Sequence, residues 1–170
     1  MTNPINFDRL IGRACELGAI EARPIDPRSV VTAPWVRLKC QFGCPHYRTR
    51  LCCPPYTPTA EQFQKVLDSY TTALLFHSQG MEISPAEIAF DLEQEVFFQG
   101  YYKALGLGAG PCRLCKKCNL EQCTHPLRAR PAMEACGIDV YATARANGYH
   151  IQVVRNHTEI PNRYGLILIE

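Results

Sequence analysis

Residues 110–126 read Gly-Pro-Cys-Arg-Leu-Cys-Lys-Lys-Cys-Asn-Leu-Glu-Gln-Cys-Thr-His-Pro, and they dictate the path of the middle of the chain. This segment holds four cysteines at the spacing C-x2-C-x2-C-x4-C, namely Cys112, Cys115, Cys118 and Cys123. Cysteines in consecutive steps of three let a loop curl so that their thiolates point inward at one iron-sulfur cluster. The segment therefore predicts a loop wrapped around a metal centre.

The spacing resembles C-x2-C-x2-C-x3-C-P, the run found in bacterial ferredoxins, but it departs from that run at its end. The last interval is longer, and Pro126 does not directly follow Cys123. Cys123 can therefore serve the same cluster as the other three cysteines or a second cluster. Zinc also binds four cysteines at C-x2-C spacing, so a zinc site stays open as an alternative.

A second cysteine-rich region lies within residues 34–58, a segment dense in Pro, Cys and Arg that we predict to be an ordered loop. It contains the thiols Cys40, Cys44, Cys52 and Cys53. Neighbouring side chains of an extended chain face opposite ways, so we expect one of the adjacent pair to bind metal and the other to pack. We favour Cys53 as the ligand, because Pro54 behind it restricts its backbone.

The cysteine count agrees with two clusters. The chain has 10 cysteines, and setting aside Cys15, in the first predicted helix, and Cys52 leaves the eight that two 4Fe-4S clusters require. The candidate ligands are Cys40, Cys44, Cys53, Cys112, Cys115, Cys118, Cys123 and Cys136. In one partition the 112–123 run binds one cluster and Cys136 completes the other site; in a second partition Cys123 joins the second site. A third possibility leaves one iron with three thiolates and an open position.

Length and composition indicate a single domain over residues 1–170, large enough to bury a core without crosslinks. No secretory signal is visible, so we expect reduced thiols and a cytoplasmic protein. The longest apolar runs, such as residues 166–169, are far shorter than the roughly 20 residues that cross a membrane. A net charge of +2 gives no indication of nucleic-acid binding, which we do not expect.

Basic residues concentrate in or beside the two cysteine regions: Arg37, Lys39, Arg48, Arg50, Arg113, Lys116, Lys117, Arg128 and Arg130. Nearby cations would offset the negative charge of a thiolate-bound cluster and favour the thiolate form of its ligands. A set of solvated loop residues, or a docking face for an acidic partner, would account for this concentration of charge equally well.

Apolar periodicity and capping signals predict an α/β fold. We expect helices over residues 5–17, from about 57–59 to 70, from 84 to about 105, and over 139–147. We expect strands over 19–25, 71–77, 149–154 and 164–169. Capping boxes are predicted at Thr59 with Gln62 and at Ser84 with Glu87. Alternating strands and helices predict a single domain with a mixed sheet flanked by helices, and two cysteine-rich loop regions that form the metal site.

The chain resembles an uncharacterised bacterial and archaeal family of predicted metal-binding proteins, a domain of unknown function. The matching pieces are Lys-Cys-Gln-Phe-Gly-Cys-Pro at 39–45, Cys-Pro-Pro-Tyr-Thr-Pro-Thr at 53–59, Gly-Pro-Cys-Arg-Leu-Cys at 110–115 and Arg-Pro-Ala-Met-Glu-Ala-Cys-Gly-Ile-Asp-Val at 130–140. The resemblance implies metal or iron-sulfur binding without an assigned substrate or reaction. It also points to Arg130, Pro131, Glu134 and Asp139, whose roles the sequence does not explain.

The sequence predicts an iron-sulfur protein with one or two 4Fe-4S clusters that acts in electron transfer or as an accessory redox subunit. No fingerprint for a flavin, nicotinamide or nucleoside triphosphate is present, so a redox protein partner is expected. One alternative is an enzyme that uses an open iron as a Lewis acid. Another is a structural zinc-binding interaction module. The sequence leaves open whether the protein is an enzyme and what its oligomeric state is.

Overall fold

Four strands form an open antiparallel sheet at the centre of this computed structural model, which describes residues 4–170. They are β1 (Glu21–Ile25), β2 (Ala73–Gln79), β3 (Leu105–Leu107) and β4 (Asn162–Leu168), in the order β1-β2-β4-β3. β2 pairs with β1 along one edge and with β4 along the other. Its nearly continuous apolar run is buried, as expected for a central strand.

Helices pack on both faces of this sheet. They are α1 (Phe7–Glu16), α2 (Pro34–Gly43), α3 (Ala60–Leu67), α4 (Pro85–Phe98) and α5 (Val140–Ala146), with short 3-10 turns at Pro27–Ser29 and Glu134–Cys136. Helices α1 and α4 form one core with Leu74, Phe76 and Ile167. Helices α3 and α5 form the opposite core with Leu75 and Leu166. Neighbouring strand residues point to opposite faces, so β2 and β4 contribute to both cores.

A glycine in one central strand makes room for an aromatic ring of the neighbouring strand. Gly165 of β4 pairs with Phe76 of β2, and a Cβ added to Gly165 would lie 2.1 Å from Cζ of that ring. The phenyl ring therefore occupies the space in which a side chain would otherwise stand.

The structure confirms the α/β class, the flanking helices and most predicted elements. Helix α1 ends just before Gly18, whose φ of 107° favours glycine. Helix α3 begins with the predicted capping box: Gln62 N–H donates to Thr59 Oγ1 at 3.2 Å, and Thr59 N–H donates to Gln62 Oε1 at 2.8 Å. Helix α5 and strands β1, β2 and β4 also lie where the sequence places them.

No helix in the described part of the chain is both long enough and apolar enough to cross a membrane.

The sheet is antiparallel, so the expectation of a mixed sheet is wrong in this detail. Ile25 at the end of β1 pairs with Ala73 at the start of β2, so the chain enters β2 at the end of the sheet where it left β1. The connection between β1 and β2 contains helices α2 and α3 and a cysteine loop. A parallel pair would need this connection to cross to the opposite end of the sheet before the second strand begins. A parallel contact occurs as an isolated bridge between Gly108 and Ala132.

Residues 34–43, predicted as part of a long loop, form α2. The sequence here lacks the spacing of buried apolar residues that is typical of a helix. The large apolar side chains of this helix face solvent, while Val36 is buried. The outward-facing residues are Trp35, Leu38 and Phe42. The remainder of the region, residues 44–58, forms the expected loop of turns.

Helix α4 ends earlier than predicted. Gly100 has a φ of 102°, a conformation that breaks a helix, and residues 105–107 form β3 instead of a helix end. Ser84 is the N-cap residue of α4 as predicted, but its side chain makes no capping hydrogen bond, so the second capping box is wrong.

Residues 149–154, all of which the structure describes, form no strand. Their apolar side chains serve the core without a partner strand: Tyr149 and Ile151 pack in the core of α3 and α5. The Tyr149 hydroxyl donates to the backbone oxygen of Leu75 at 2.8 Å. Burial of separate side chains accounts for the apolar pattern that suggested a strand.

Candidate functional site

The 112–123 cysteines belong to a loop of residues 109–131 that is closed at its base beside β3. Gly108 N–H donates to Pro131 O at 2.9 Å, and Met133 N–H donates to Gly108 O at 3.0 Å. Residues 109–131 are all described and form neither helix nor strand. The prediction that the cysteine run lies in a loop is confirmed.

A buried ion pair anchors the returning end of this loop to α4. Arg130 Nε and Nη2 each donate to a carboxylate oxygen of Glu93 at 2.5 Å, and the two side chains are 12% and 11% exposed. Glu93 Oε2 also accepts the Gly106 N–H of β3 at 2.6 Å. A two-pronged guanidinium-carboxylate contact fixes orientation as well as distance. This pair explains Arg130, which the family resemblance singled out.

Five thiols line one small pocket beneath the loop, and we name them the first thiol group: Cys52, Cys112, Cys115, Cys118 and Cys123. Cys52 comes from the other cysteine-rich region, so the two distant stretches meet here. Arg50 and His125 also line the pocket. Its free volume is about 10 Å³, close to what one water requires. A larger group would need the sulfurs of the irregular loop to move outward.

Several hydrogen bonds in the first thiol group are directed at sulfur. His125 N–H donates to Cys123 Sγ at 3.4 Å, and Leu114 N–H donates to Cys112 Sγ. Cys115 Sγ lies 3.3 Å from His125 Nδ1. Hydrogen bonds of this kind surround the sulfur ligands of a metal centre and orient them.

Cys112 is held as a thiolate near neutral pH. A hydrogen bond from the Cys52 thiol, supported by Leu114 N–H and by the charge of Arg50, lowers the pKa of Cys112 from 9.0 to about 6 against the opposing effect of burial. The same hydrogen bond, with burial, raises the pKa of Cys52. Cys52 therefore keeps its proton and donates a hydrogen bond to the Cys112 thiolate.

Cys40 of α2, Cys44 directly after α2 and Cys53 of the following loop form what we name the second thiol group. Cys44 caps the helix, and its N–H donates to the backbone oxygen of Cys40 at 3.3 Å. Burial, followed by the charges of Cys44 and Cys40, raises the pKa of Cys53 to about 11. Burial and the charge of Cys44 likewise raise the pKa of Cys40. These mutual effects arise because the three thiols are close together.

Cys52 and Cys53 face the two thiol groups separately. We favoured Cys53 over Cys52 as the metal ligand, and the structure places the Cys52 thiol against Cys112. The alternation of side chains along the chain, from which we expected one ligand and one packing residue, gives each cysteine a different set of thiol neighbours. This alternation could have predicted that Cys52 also lies among other thiols. Metal binding by Cys53 stays a prediction.

Cys136 belongs to the core formed with α3 and α5, and it ends the 3-10 turn that packs against α2. It is 1% exposed, and burial raises its pKa to about 12. Its service as a metal ligand stays a prediction. Cys15, which we left out of the candidate ligands, is exposed on α1.

Arg50 lies between the two thiol groups. Its Nη1 donates to the backbone oxygen of Cys115 at 3.0 Å, and its charge lowers the pKa of both Cys112 and Cys53. Its Nε is buried and has no hydrogen-bond partner among the described residues. An unpaired buried donor is uncommon in proteins, and a bound anionic group would satisfy it.

Glu134 approaches the second thiol group from the 3-10 turn that precedes α5. Its charge raises the pKa of Cys40, and burial raises the pKa of Glu134 itself. Its Oε2 is shielded from solvent and lacks a hydrogen-bond partner within residues 4–170. Thr57 Oγ1 donates to Ala135 O at 2.5 Å, which fixes this turn beside the cysteine loop. A buried, unpaired carboxylate oxygen therefore stands near a thiol.

Asp139, also singled out by the family resemblance, has a structural role. Its Oδ1 accepts the Ala142 N–H at 2.9 Å and caps α5, while its own N–H donates to Val31 O at 2.8 Å. These contacts hold the segment that carries Glu134 and Cys136 against the chain that enters α2.

All ten cysteines are free. Among the described residues, no three side chains of the types His, Cys, Asp and Glu are arranged to hold a single metal ion.

Comparison with known proteins identifies a family. No curated protein and no solved structure matches the chain. A family described as "Predicted metal-binding protein (DUF2284)" matches residues 23–169, which include both thiol groups and the whole sheet except the start of β1. Because the match covers most of its length, the chain belongs to the DUF2284 family of predicted metal-binding proteins.

Proposed function

We propose that the chain is an iron-sulfur protein that binds 4Fe-4S clusters at its thiol groups and exchanges single electrons with a protein partner. The observation that carries the proposal is the meeting of Cys52 with four loop cysteines around one pocket. A 4Fe-4S cluster takes four thiolates, and the loop supplies them as Cys112, Cys115, Cys118 and Cys123. Cys52 is then a hydrogen-bond donor to the ligand Cys112 or an alternative ligand.

The surroundings of the first thiol group fit an anionic cluster. The backbone N–H groups of Leu114 and His125 point at ligand sulfurs, and the unpaired Nε of Arg50 offers a further donor. Such donors and nearby cations stabilise thiolate-bound clusters and tune their reduction potentials. When bound, the cluster would supply a site that accepts or releases one electron, and these residues would stabilise the added charge.

The second thiol group provides Cys40, Cys44 and Cys53 for a second cluster. The proximity of Cys123 to the other loop thiols favours the partition in which the 112–123 run serves one cluster alone. The fourth ligand of the second cluster would then be Cys136 or a group other than a thiolate. Ten free thiols support residence in a reducing compartment such as the cytoplasm.

Anaerobic purification followed by iron, acid-labile sulfide and zinc analysis tests this proposal. We expect iron and sulfide in equal amounts and a reduced form with an EPR signal. Replacement of Cys112 by Ala should lower the iron content, whereas replacement of the exposed Cys15 by Ala, a matched control, should leave it unchanged. A colourless protein with stoichiometric zinc would contradict the proposal and support the structural zinc alternative.

A second candidate function, an enzyme with an open iron acting as a Lewis acid, is favoured by one observation. The second thiol group brings three thiols together beside the unpaired Glu134 Oε2, while Cys136 is buried in the core. Under this hypothesis Cys136→Ala keeps both clusters, and cyanide or imidazole changes the EPR spectrum of one of them. Loss of a cluster in a folded Cys136→Ala variant would exclude an iron that already lacks a thiolate.

A further inference from the structure

Helix α2 presents large apolar side chains to solvent. Trp35, Leu38 and Phe42, on successive turns, are 49%, 54% and 80% exposed, and we name them the α2 stripe. With Lys39 and Gly43 they line a shallow depression of about 480 Å³. A contiguous exposed apolar patch on a protein surface marks an interaction site.

The stripe lies across the helix from the second thiol group. With 3.6 residues per turn, Trp35, Leu38 and Phe42 share one side of α2, and Cys40 of the second thiol group lies on the other. A helix with its side chains is about 10–12 Å wide, so a partner on the stripe would be roughly one helix diameter from the Cys40 thiol.

The chain segment that carries the stripe is basic. Residues 27–60 contain no Asp or Glu, Lys39 lines the depression, and Arg48 is exposed in the loop that follows α2. A surface of this kind attracts a partner that carries negative charge.

A second copy of this chain is a poor occupant of the stripe. A two-fold interface brings the same patch together from both copies, so the Lys39 side chains of the two copies would face one another. Like charges opposed across an interface resist association. The charge therefore favours a different, acidic protein.

We propose that the α2 stripe is the docking surface for a small acidic electron-carrier protein, with apolar contacts at the centre and carboxylates around them. This inference rests on the proposed function, since electron exchange requires a partner to approach a cluster. Apolar, aromatic centres with polar rims are usual in such interfaces, and Trp is among the residues that contribute most to binding. Complexes of redox proteins are small and weak, in keeping with a patch on one short helix.

Trp35 is the single tryptophan of the chain, so its fluorescence reports on the stripe directly. The experiment titrates the full-length protein with a small acidic two-cluster ferredoxin that lacks tryptophan. It measures binding by the protection of Trp35 from the quencher acrylamide, at low and at high salt. Leu38→Ala/Phe42→Ala is the test variant, and Phe98→Ala is the matched control because Phe98, on α4, is 79% exposed.

We expect saturable protection of Trp35, lost at high salt, with a Kd weakened on the order of tenfold or more in Leu38→Ala/Phe42→Ala and unchanged in Phe98→Ala. A charge reversal, Lys39→Glu, should weaken binding at low salt by several-fold. Absence of protection, equal weakening by the control, or a self-associated protein that dissociates in the stripe variant would overturn the proposal. Iron and sulfide content, measured on the same sample, separates failure of this inference from failure of the cluster proposal.

Discussion

Removal of Arg130 should lower the free energy of unfolding, because its ion pair with Glu93 is nearly buried and anchors the cysteine loop. In Arg130→Met the Glu93 carboxylate keeps the Gly106 N–H but loses its cation. Breaking a buried pair by deleting one partner costs about 3–5 kcal/mol. A domain of this size has a free energy of unfolding of about 5–15 kcal/mol, so the variant would be left marginally stable.

Replacement of the other partner should cost less. In Glu93→Gln an amide oxygen remains to accept the Gly106 N–H. Arg130 Nη1 keeps its bonds to the backbone oxygens of Ala129 at 2.9 Å and Leu127 at 3.3 Å, and the guanidinium lies 5.4 Å from the Phe90 ring. We therefore expect a loss of about 1–3 kcal/mol. The double variant removes both charges, so it should lose less than the two single variants added together.

Urea denaturation followed by circular dichroism measures these losses, under anaerobic conditions and with iron content determined in parallel. Arg128→Met is the matched control, because Arg128 lies at the same distance of 5.4 Å from Phe90 but is exposed. The control should change the free energy of unfolding by no more than about 0.5 kcal/mol. A loss below about 1 kcal/mol in Arg130→Met, or single losses that simply add in the double variant, would refute this role of the pair.

Three further predictions concern single sites. In metal-free protein, alkylation of Cys112 by iodoacetamide, followed by mass spectrometry, should have its midpoint near pH 6, and Cys52→Ala should shift that midpoint upward because the thiolate loses a donor. Gly165→Ala should lower the free energy of unfolding by about 1–3 kcal/mol, since its Cβ would meet Phe76, and Phe76→Leu should recover part of the loss. Asp139→Ala should cost about 1 kcal/mol by removing the cap of α5, whereas Asp139→Asn should cost little, as thermal melting would show.

The sequence predicts those elements whose apolar side chains face a core. Helices α1 and α3 show this regular pattern, and β2 shows it as a continuous apolar run. Helix α2 has its pattern inverted, because Trp35 and Phe42 face solvent, so periodicity could not reveal it. The pairing directions in the sheet depend on where each connection returns, which no local pattern contains.

For the candidate site, spacing predicts which thiols belong to one loop but not which of them meet thiols from elsewhere. The run from Cys112 to Cys123 could be recognised because consecutive steps of three define a single curl of chain. The contact of Cys52 with that run, and the burial of Cys136 away from it, depend on how separate segments pack. The placement of Arg50 between the two groups is likewise a tertiary fact.

The adjacency of Cys52 and Cys53 has a consequence for any redox chemistry at this site. Consecutive Cα atoms are about 3.8 Å apart, so the two thiol groups are separated by little more than two short side chains pointing in opposite directions. Charge in one group already acts on the other, since Cys112 contributes to the raised pKa of Cys53, and Arg50 lowers the pKa of both. Negative charge added at one group must therefore make its addition at the other less favourable. Two clusters bound here would be reduced one after the other, and Arg50, which lies between them, would offset part of that repulsion.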